Sequence, residues 1–75
     1  MMVEVGEREL FEILDFIRKH FELVNIEQVE RISSRHFSIV FSTSFSMQEV
    51  VRVLRENGLL RILKSLRPSL LSSSW

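Results

Sequence analysis

Few side chains of this sequence are arranged in a way that could do chemistry. His20 and His36 are the only imidazoles, and without cysteine a zinc site would need both of them and a carboxylate such as Glu22. His20 is better suited to the end of a helix, where a cation interacts favourably with the helix dipole, and His36 to a turn. The serines stand in no G-x-S-x-G motif and form no obvious triad. We therefore predict no catalytic residue and no metal ligand.

Cofactor-binding motifs are not found either. The two glycines, Gly6 and Gly58, are too few and too far apart to build a phosphate-binding loop or a dinucleotide fingerprint. Asp15 precedes Lys19 by four residues, a spacing typical of a surface ion pair on a helix. No cofactor is expected, and the protein is not predicted to be an enzyme.

Basic residues are concentrated towards the C-terminal end. Residues 51–75 have five bases and one acid, whereas residues 1–30 have eight acids and three bases. Such a basic segment could contact the phosphates of a nucleic acid or an acidic protein partner. Because the whole chain is neutral, attraction between its two halves, within one chain or between two copies, is the favoured interpretation. The candidate contact residues are Arg52, Arg55, Arg61, Lys64 and Arg67.

The clearest strand pattern covers residues 37–45. Large apolar side chains alternate there with small ones, so one face suits packing against helices and the other is flat and uncharged. The strand has no lysine, proline or bulge of the kind that protects a sheet edge. We predict that its small face meets another layer or another copy of the chain. With Phe16, which the helical pattern places among acidic residues, the candidate interface consists of Phe16, Ser38, Val40, Ser42 and Ser44.

A helical pattern runs from Glu7 to Phe21. Residues 1–5 before it alternate weakly and suit a short edge strand, and Gly6 permits a turn between the two. At 100° per residue, one stripe of the helix contains Leu10, Ile13, Leu14, Ile17 and Phe21.

Residues 22–33 fit two structures. Asn25 and Gln28 could form the capping box of a helix, while a strand would alternate poorly unless a bulge intervenes. The segment SSRH (33–36) resembles a turn, and a strand follows it, so a hairpin is the economical topology. The strand is favoured.

Two helices are predicted for residues 46–67. Ser46 and Glu49 match the S-x-x-E pattern of a capping box at the start of the first helix. Asn57 and Gly58 are typical of its end, with Leu59 placed to contact the helix in a Schellman-type stop.

A second apolar stripe, Leu59 to Leu66, is rotated by roughly 110° from the stripe of the first helix at 100° per residue. A second helix is therefore expected after the break. It should end before Pro68, because proline disfavours helical backbone in the residue preceding it. Residues 68–75 are predicted to be a C-terminal tail, and whether the tail docks is left open.

The chain length is that of one small domain, assigned here to residues 1–67. Its 75 residues are near the low end of what folds alone, and 45% of them are hydrophobic. We expect that part of this apolar surface is covered by a partner. The lack of cysteine, of a signal peptide and of a long apolar run predicts a soluble, cytoplasmic protein without membrane contact.

Two families resemble parts of the chain. The segment VVRVLRENGLLRIL (Val50 to Leu63) resembles the end of a winged-helix domain, where a recognition helix stops at N-G or K-G and a wing strand follows. This resemblance implies a nucleic-acid-binding regulator whose helix enters the major groove, with Arg52 and Arg55 as the reading residues.

The second resemblance covers more of the chain. A β-α-β-β-α order with a short polar hairpin loop, followed by NGLLRILK (Asn57 to Lys64), is similar to the small dimerising subunit of the KEOPS complex. That complex makes the threonylcarbamoyl modification on tRNA. The resemblance implies a non-catalytic subunit that pairs with a copy or paralogue of itself and docks on the catalytic subunit through its helices. The matching residues are Asn57, Leu60, Arg61 and Lys64.

Together these patterns predict an α+β fold, with a small antiparallel sheet of two to three strands, helices on one face, and the order β-α-β-β-α-α. The predicted function is that of a non-catalytic protein-interaction subunit acting as a homo- or heterodimer. Its narrower form is an accessory subunit of a tRNA-modification complex, so the expected partners are a copy or paralogue and a larger protein complex. The alternative is a small winged-helix-like nucleic-acid-binding regulator that uses the basic C-terminal helices.

Overall fold

The computed structural model describes residues 1–68, which form a four-stranded antiparallel sheet and two helices. The α+β class was predicted, whereas the sheet has four strands where two or three were expected. Two short 3-10 turns precede the first helix and follow the second. In chain order the elements are β1 (Met2–Gly6), a 3-10 turn (Glu7–Glu9), α1 (Leu10–His20), β2 (Asn25–Ser33), β3 (His36–Ser42), α2 (Met47–Glu56), a 3-10 turn (Leu60–Ile62) and β4 (Ser65–Arg67).

The strands are arranged in the order β2-β3-β1-β4. Both interior strands, β1 and β3, are antiparallel to each of their neighbours. It follows that β1 and β2 run parallel on either side of β3, and that β3 and β4 run parallel on either side of β1. Each helix therefore connects two parallel strands that have a third strand between them.

One face of the sheet forms the core together with both helices. The register places Val3 beside Ile39 and Val5 beside Phe37, so these side chains share the helix-bearing face. Phe41, on the same face, is fully buried. The buried core cluster, drawn from β1, α1, β3 and α2 and from the residue after α1, consists of Val3, Val5, Leu10, Ile13, Ile17, Phe21, Ile39, Phe41, Val50 and Leu54.

Residues 25–33 form a strand, as favoured from the sequence. Their pairing with β3 shifts between Ile26 and Gln28 and again between Arg31 and Ser33. Each shift is a β-bulge, because it leaves one extra residue of β2 without a partner on β3. The poor alternation of the sequence required such a bulge. Between them, residues 28–31 pair regularly.

The start and end of α2 follow the sequence prediction. The backbone N–H of Ser46 donates to Glu49 Oε1 at 3.0 Å, and the backbone N–H of Glu49 donates to Ser46 Oγ at 3.2 Å. The helix is stopped after its C-cap Asn57 by Gly58, whose φ of 72° is in the left-handed region that glycine adopts readily. The N–H groups of Gly58 and Leu59 donate to the carbonyls of Arg55 and Leu54, at 3.1 and 2.8 Å, which is a Schellman motif.

The predicted second helix after Gly58 is wrong. Only Leu60–Ile62 forms a helical turn, and Ser65–Arg67 instead pairs with β1 as β4. The backbone N–H of Lys64 already donates to the carbonyl of Glu4 at 2.8 Å. Pairing places Leu66 beside Val3 on the apolar face, so the residues that look like a helical stripe are used to extend the sheet. Apart from Pro68, the predicted tail lies outside the described residues.

The capping box yields a test of this local structure. Hydrogen bonding to the Ser46 backbone N–H, and secondarily to the Ser46 hydroxyl, holds the pKa of the Glu49 carboxyl below its usual value. A lowered folded-state pKa stabilises the protein above the pH at which free glutamate titrates, and this contribution is lost as the pH falls through the folded-state pKa. Ser46→Ala should lower the free energy of unfolding by about 1 kcal/mol at neutral pH. It should also weaken the loss of stability on acidification.

Chemical denaturation at neutral and acidic pH measures both effects. Ser34→Ala, in the exposed turn between β2 and β3, is the matched control and should leave the free energy of unfolding nearly unchanged. Equal stability of the two variants would contradict a stabilising role for the cap.

A candidate protein-interaction surface on strand β2 and helix α1

The two histidines have different surroundings. The His20 ring stacks on Phe16 with ring centroids 4.1 Å apart, and its Nδ1 lies 3.3 Å from the Phe16 carbonyl oxygen at the end of α1. His36 begins β3, and its buried Nε2 has no hydrogen-bond partner within residues 1–68. The described residues contain no group of three histidine, cysteine or acidic side chains that could hold a metal ion. No helix in the described part of the chain is long and apolar enough to cross a membrane.

Phe16, a predicted interface residue, is partly buried within its own chain. Besides stacking on His20, its ring meets Phe21 edge to face at 5.9 Å. It also lines a surface depression with Asn57 and Leu59 from the end of α2. Glu12 and Asp15 line the same depression, so Phe16 lies beside acidic side chains as predicted, and this flank of α1 also faces the end of α2.

The small residues of β3 do not form an open edge. β3 lies between β2 and β1, so its backbone groups are paired on both sides, and the expectation of an unprotected strand is wrong. Ser38 and Val40, on the face opposite the helices, are buried, while Ser42 is half-buried. Ser44 is exposed beyond the end of the strand, and its N–H donates to the Glu22 carbonyl at 3.2 Å. The structure does not bring these residues and Phe16 together on one open surface.

The five basic candidate residues fall in separate places. Arg55 and Arg61 line one surface depression of about 490 Å³, together with Gly58 and Leu60. Lys64 lines another depression at the end of the sheet, where Arg8, Arg35 and two glutamates also lie. The remaining two, Arg52 and Arg67, are exposed on α2 and on β4.

Arg67 is further occupied by an ion pair. Its guanidinium lies 2.9 Å from the carboxylate of Glu4 on the neighbouring strand. Since the second helix is not formed, Arg61, Lys64 and Arg67 do not share one helical face. The basic residues are therefore dispersed rather than aligned in a single row.

Exposed apolar side chains mark a different part of the molecule. Four large ones stand out among residues 1–68, and all belong to α1, to its link with β2, or to β2. We call this set the β2–α1 flank. Its members and their exposed fractions are Phe11 at 78%, Leu23 at 84%, Val29 at 44% and Ile32 at 51%.

The connectivity places the members of the flank on the same side of the molecule. Helix α1 leads from β1 to β2, across β3, and therefore lies on the β2 side of the sheet. Phe11 is five residues before Phe16, which is about 140° around the helix. Because Phe16 faces α2, Phe11 projects towards the opposite side, where β2 is the edge strand.

Leu23 is in an unfavourable conformation as well as exposed. Its φ is 52°, in the left-handed region, which costs a residue with a Cβ roughly 1–2 kcal/mol. A strained and exposed leucine contributes nothing evident to the stability of a single chain. Such an outlier is a reason to look for a contact that uses it.

The outer edge of β2 is free to pair within the described part of the molecule. The N–H of Phe41 donates to the Met1 carbonyl at 2.8 Å, so this residue of β3 directs its backbone to β1. Residues of an interior strand alternate between their two neighbours, and Val40 and Ser38 therefore bond to β2. Their partners there are Gln28 and Glu30. The backbone groups of the residues between and after them, Val29 and Arg31, point outwards.

These features were partly visible in the sequence. Phe11 lies at the margin of the predicted apolar stripe of α1, while Val29 and Ile32 belong to the segment whose structure was ambiguous. Their exposure depends on which strand takes the edge of the sheet, and no local pattern reports that.

The strand order and the connections define the architecture of the chain. The chain contains two β-α-β units, each with two parallel strands joined by a helix. A strand of the other unit lies between the two parallel strands, which is the split β-α-β, or ferredoxin-like, arrangement. Proteins of unrelated functions share this arrangement, so it identifies an architecture only. Comparisons with protein-family models, with curated proteins and with solved structures find no match to this chain.

The strain at Leu23 leads to a prediction. Leu23→Asn should raise the free energy of unfolding of the monomer by about 0.5–1 kcal/mol, because asparagine tolerates the left-handed region better than leucine. The substitution also removes an apolar side chain that is exposed to water. Thermal or chemical unfolding at low protein concentration measures the change. Phe11→Ser, at an exposed helical position of ordinary backbone conformation, is the control and should not increase stability. A Leu23→Asn variant less stable than the parent would show that the leucine serves the fold itself.

Proposed function

We propose that this protein is a non-catalytic interaction subunit that works as a homo- or heterodimer, with the β2–α1 flank and the free edge of β2 as its contact surface. One observation carries the proposal: the four large apolar side chains exposed among residues 1–68 all belong to α1, to β2 or to the turn between them, and none belongs to β1, β3, α2 or β4. Scattered exposed apolar residues are normal, whereas a set confined to one side is typical of an interaction site.

The edge strand supplies a second kind of contact. An exposed strand can accept another strand, whose main-chain hydrogen bonds provide affinity while the side chains provide specificity. The other edge strand of the described sheet, β4, is three residues long, whereas β2 has nine residues. β2 is therefore the edge better suited to pairing.

The apolar residues of the flank give the contact its driving force. Fully burying a valine, leucine, isoleucine or phenylalanine side chain contributes about 1.5–3 kcal/mol. The likeness of Asn57 to Lys64 to the small KEOPS subunit supports the same class of function, because that likeness implies a non-catalytic dimerising protein. An accessory role in tRNA modification is the narrower form of this proposal.

Nucleic-acid binding is the second candidate. The observation that favours it is the depression shared by Arg55 and Arg61, where two exposed guanidinium groups could contact neighbouring phosphates. Dimerisation is favoured over it, because the other basic candidates lie elsewhere and Arg67 is paired with Glu4.

Sedimentation velocity over a micromolar concentration range tests the leading proposal. The protein should form a dimer, alone or with a partner that co-purifies from its host. The double variant Phe11→Ser/Leu23→Asn should weaken the association at least tenfold, because it removes two apolar contacts. The double variant Arg55→Glu/Arg61→Glu is the matched control on another surface and should associate like the parent.

The opposite pattern would support the alternative. A protein that stays monomeric, has no protein partner, and binds DNA or tRNA with an affinity that falls steeply with salt would be a nucleic-acid-binding module. In that case the Arg55→Glu/Arg61→Glu variant should lose binding and the Phe11→Ser/Leu23→Asn variant should retain it.

A further inference from the structure

The bulges of β2 restrict how a second strand can pair with its free edge. Regular backbone geometry is confined to residues 28–31, between the two register shifts. Within this stretch only Val29 and Arg31 direct their N–H and C=O groups outwards, as deduced from the alternation along β3. In a symmetric pair of β2 strands, Val29 must therefore lie opposite Val29 or Arg31 of the other copy, or Arg31 must lie opposite Arg31 of the other copy.

Only three antiparallel registers meet this condition. One is centred on Val29, which then faces its own copy, another on Glu30, and the third on Arg31. The Glu30 and Arg31 registers each oppose two identical charges directly across the seam, which destabilises a strand pair. The Val29 register instead opposes two half-exposed apolar side chains on the helix-bearing face.

We infer that the partner of this surface is a second copy of the chain, joined β2 to β2 in antiparallel orientation about a two-fold axis at Val29. This inference rests on the proposed function and specifies its partner and geometry. The two sheets become one continuous eight-stranded sheet.

Charge complementarity along the strand supports the same register. With Val29 at the centre, Gln28 of one copy faces Glu30 of the other, so an amide meets a carboxylate on the face away from the helices. Glu27 is the extra residue of the first bulge and lies outside the regular pairing, so residues 28–30 alone define the polar contacts at the axis. The Arg31 guanidinium is already held 5.5 Å above the Phe37 ring of its own chain.

The remaining apolar residues of the flank fall along the same seam. α1 begins close to the turn between β2 and β3, since the N–H of Glu7 donates to the Arg35 carbonyl at 2.9 Å. Phe11 is thus at the end of β2 opposite to Leu23. Antiparallel pairing brings the Phe11 end of one copy to the Leu23 end of the other, which accounts for the exposure of both.

Single cysteines test the register cleanly, because the chain has none. In the inferred dimer the two Cα atoms at position 29 are about 5.5 Å apart, which is within disulfide range. At position 30 they are diagonal neighbours about 7–8 Å apart, beyond that range. Under mild oxidation the full-length Val29→Cys variant should form a reducible covalent dimer at least tenfold faster than the matched Glu30→Cys variant.

A second variant tests the register without cross-linking. Gln28→Lys should tighten association about fivefold, because each lysine then faces Glu30 of the other copy. The gain should disappear in high salt.

The outcomes separate this inference from the proposed function. A dimer that cross-links faster at position 30, or at neither position, and is not tightened by Gln28→Lys would overturn the register while leaving dimerisation intact. A chain that is monomeric alone but forms a stable complex with a different protein would overturn the second copy as partner and leave the interaction role intact. A monomer without any partner would remove both.

Discussion

The packing of Ile39 and Phe41 against both helices is the interaction on which the other parts of the structure depend. β3 is bonded to β1 on one side and to β2 on the other, and Ile39 and Phe41 on its apolar face are fully buried. Phe41 also stacks on Phe21 at the end of α1, with ring centroids 6.1 Å apart. Removing such a phenylalanine typically costs about 3–5 kcal/mol, a large part of the stability of a small domain. Helix placement, strand order and the position of β2 follow from this centre.

A mismatch in length then leaves part of the sheet uncovered. α1 has 11 residues and spans about 16 Å, whereas the nine residues of β2 span about 30 Å. The helix that lies on the β2 side is shorter than this strand, and Val29 and Ile32 are exposed. The cost of this exposure, together with the strain at Leu23, is borne by the single chain. Covering the flank with another chain offsets that cost, which links the shape of the core to the proposed role in association.

Much of the fold could be predicted because the relevant signals are local. The capping box of Ser46 and Glu49, the stop at Gly58 and the need for a bulge in β2 each depend on a few neighbouring residues. The segment after Gly58 could not be predicted this way. Its apolar residues fit a helical stripe, but β1 offered a free edge and an apolar neighbour in Val3, and pairing there formed β4 instead. The interior position of Ser38 and Val40 could not be predicted for a related reason, since pairing of their strand on both sides depends on β1 and β2.

By itself, the sequence determined the class of fold, the helix α1, the hairpin of β2 and β3, and the capped α2, because periodicity and capping act within one or two turns of the chain. Only the tertiary structure decided the strand order, the identity of the edge strand and the apolar residues left exposed. These depend on contacts between residues far apart in the chain, and a strand pattern is the same whether its backbone ends in the interior or at the edge of a sheet. The position of β2 at that edge leaves Val29 exposed, which its place in the sequence does not reveal.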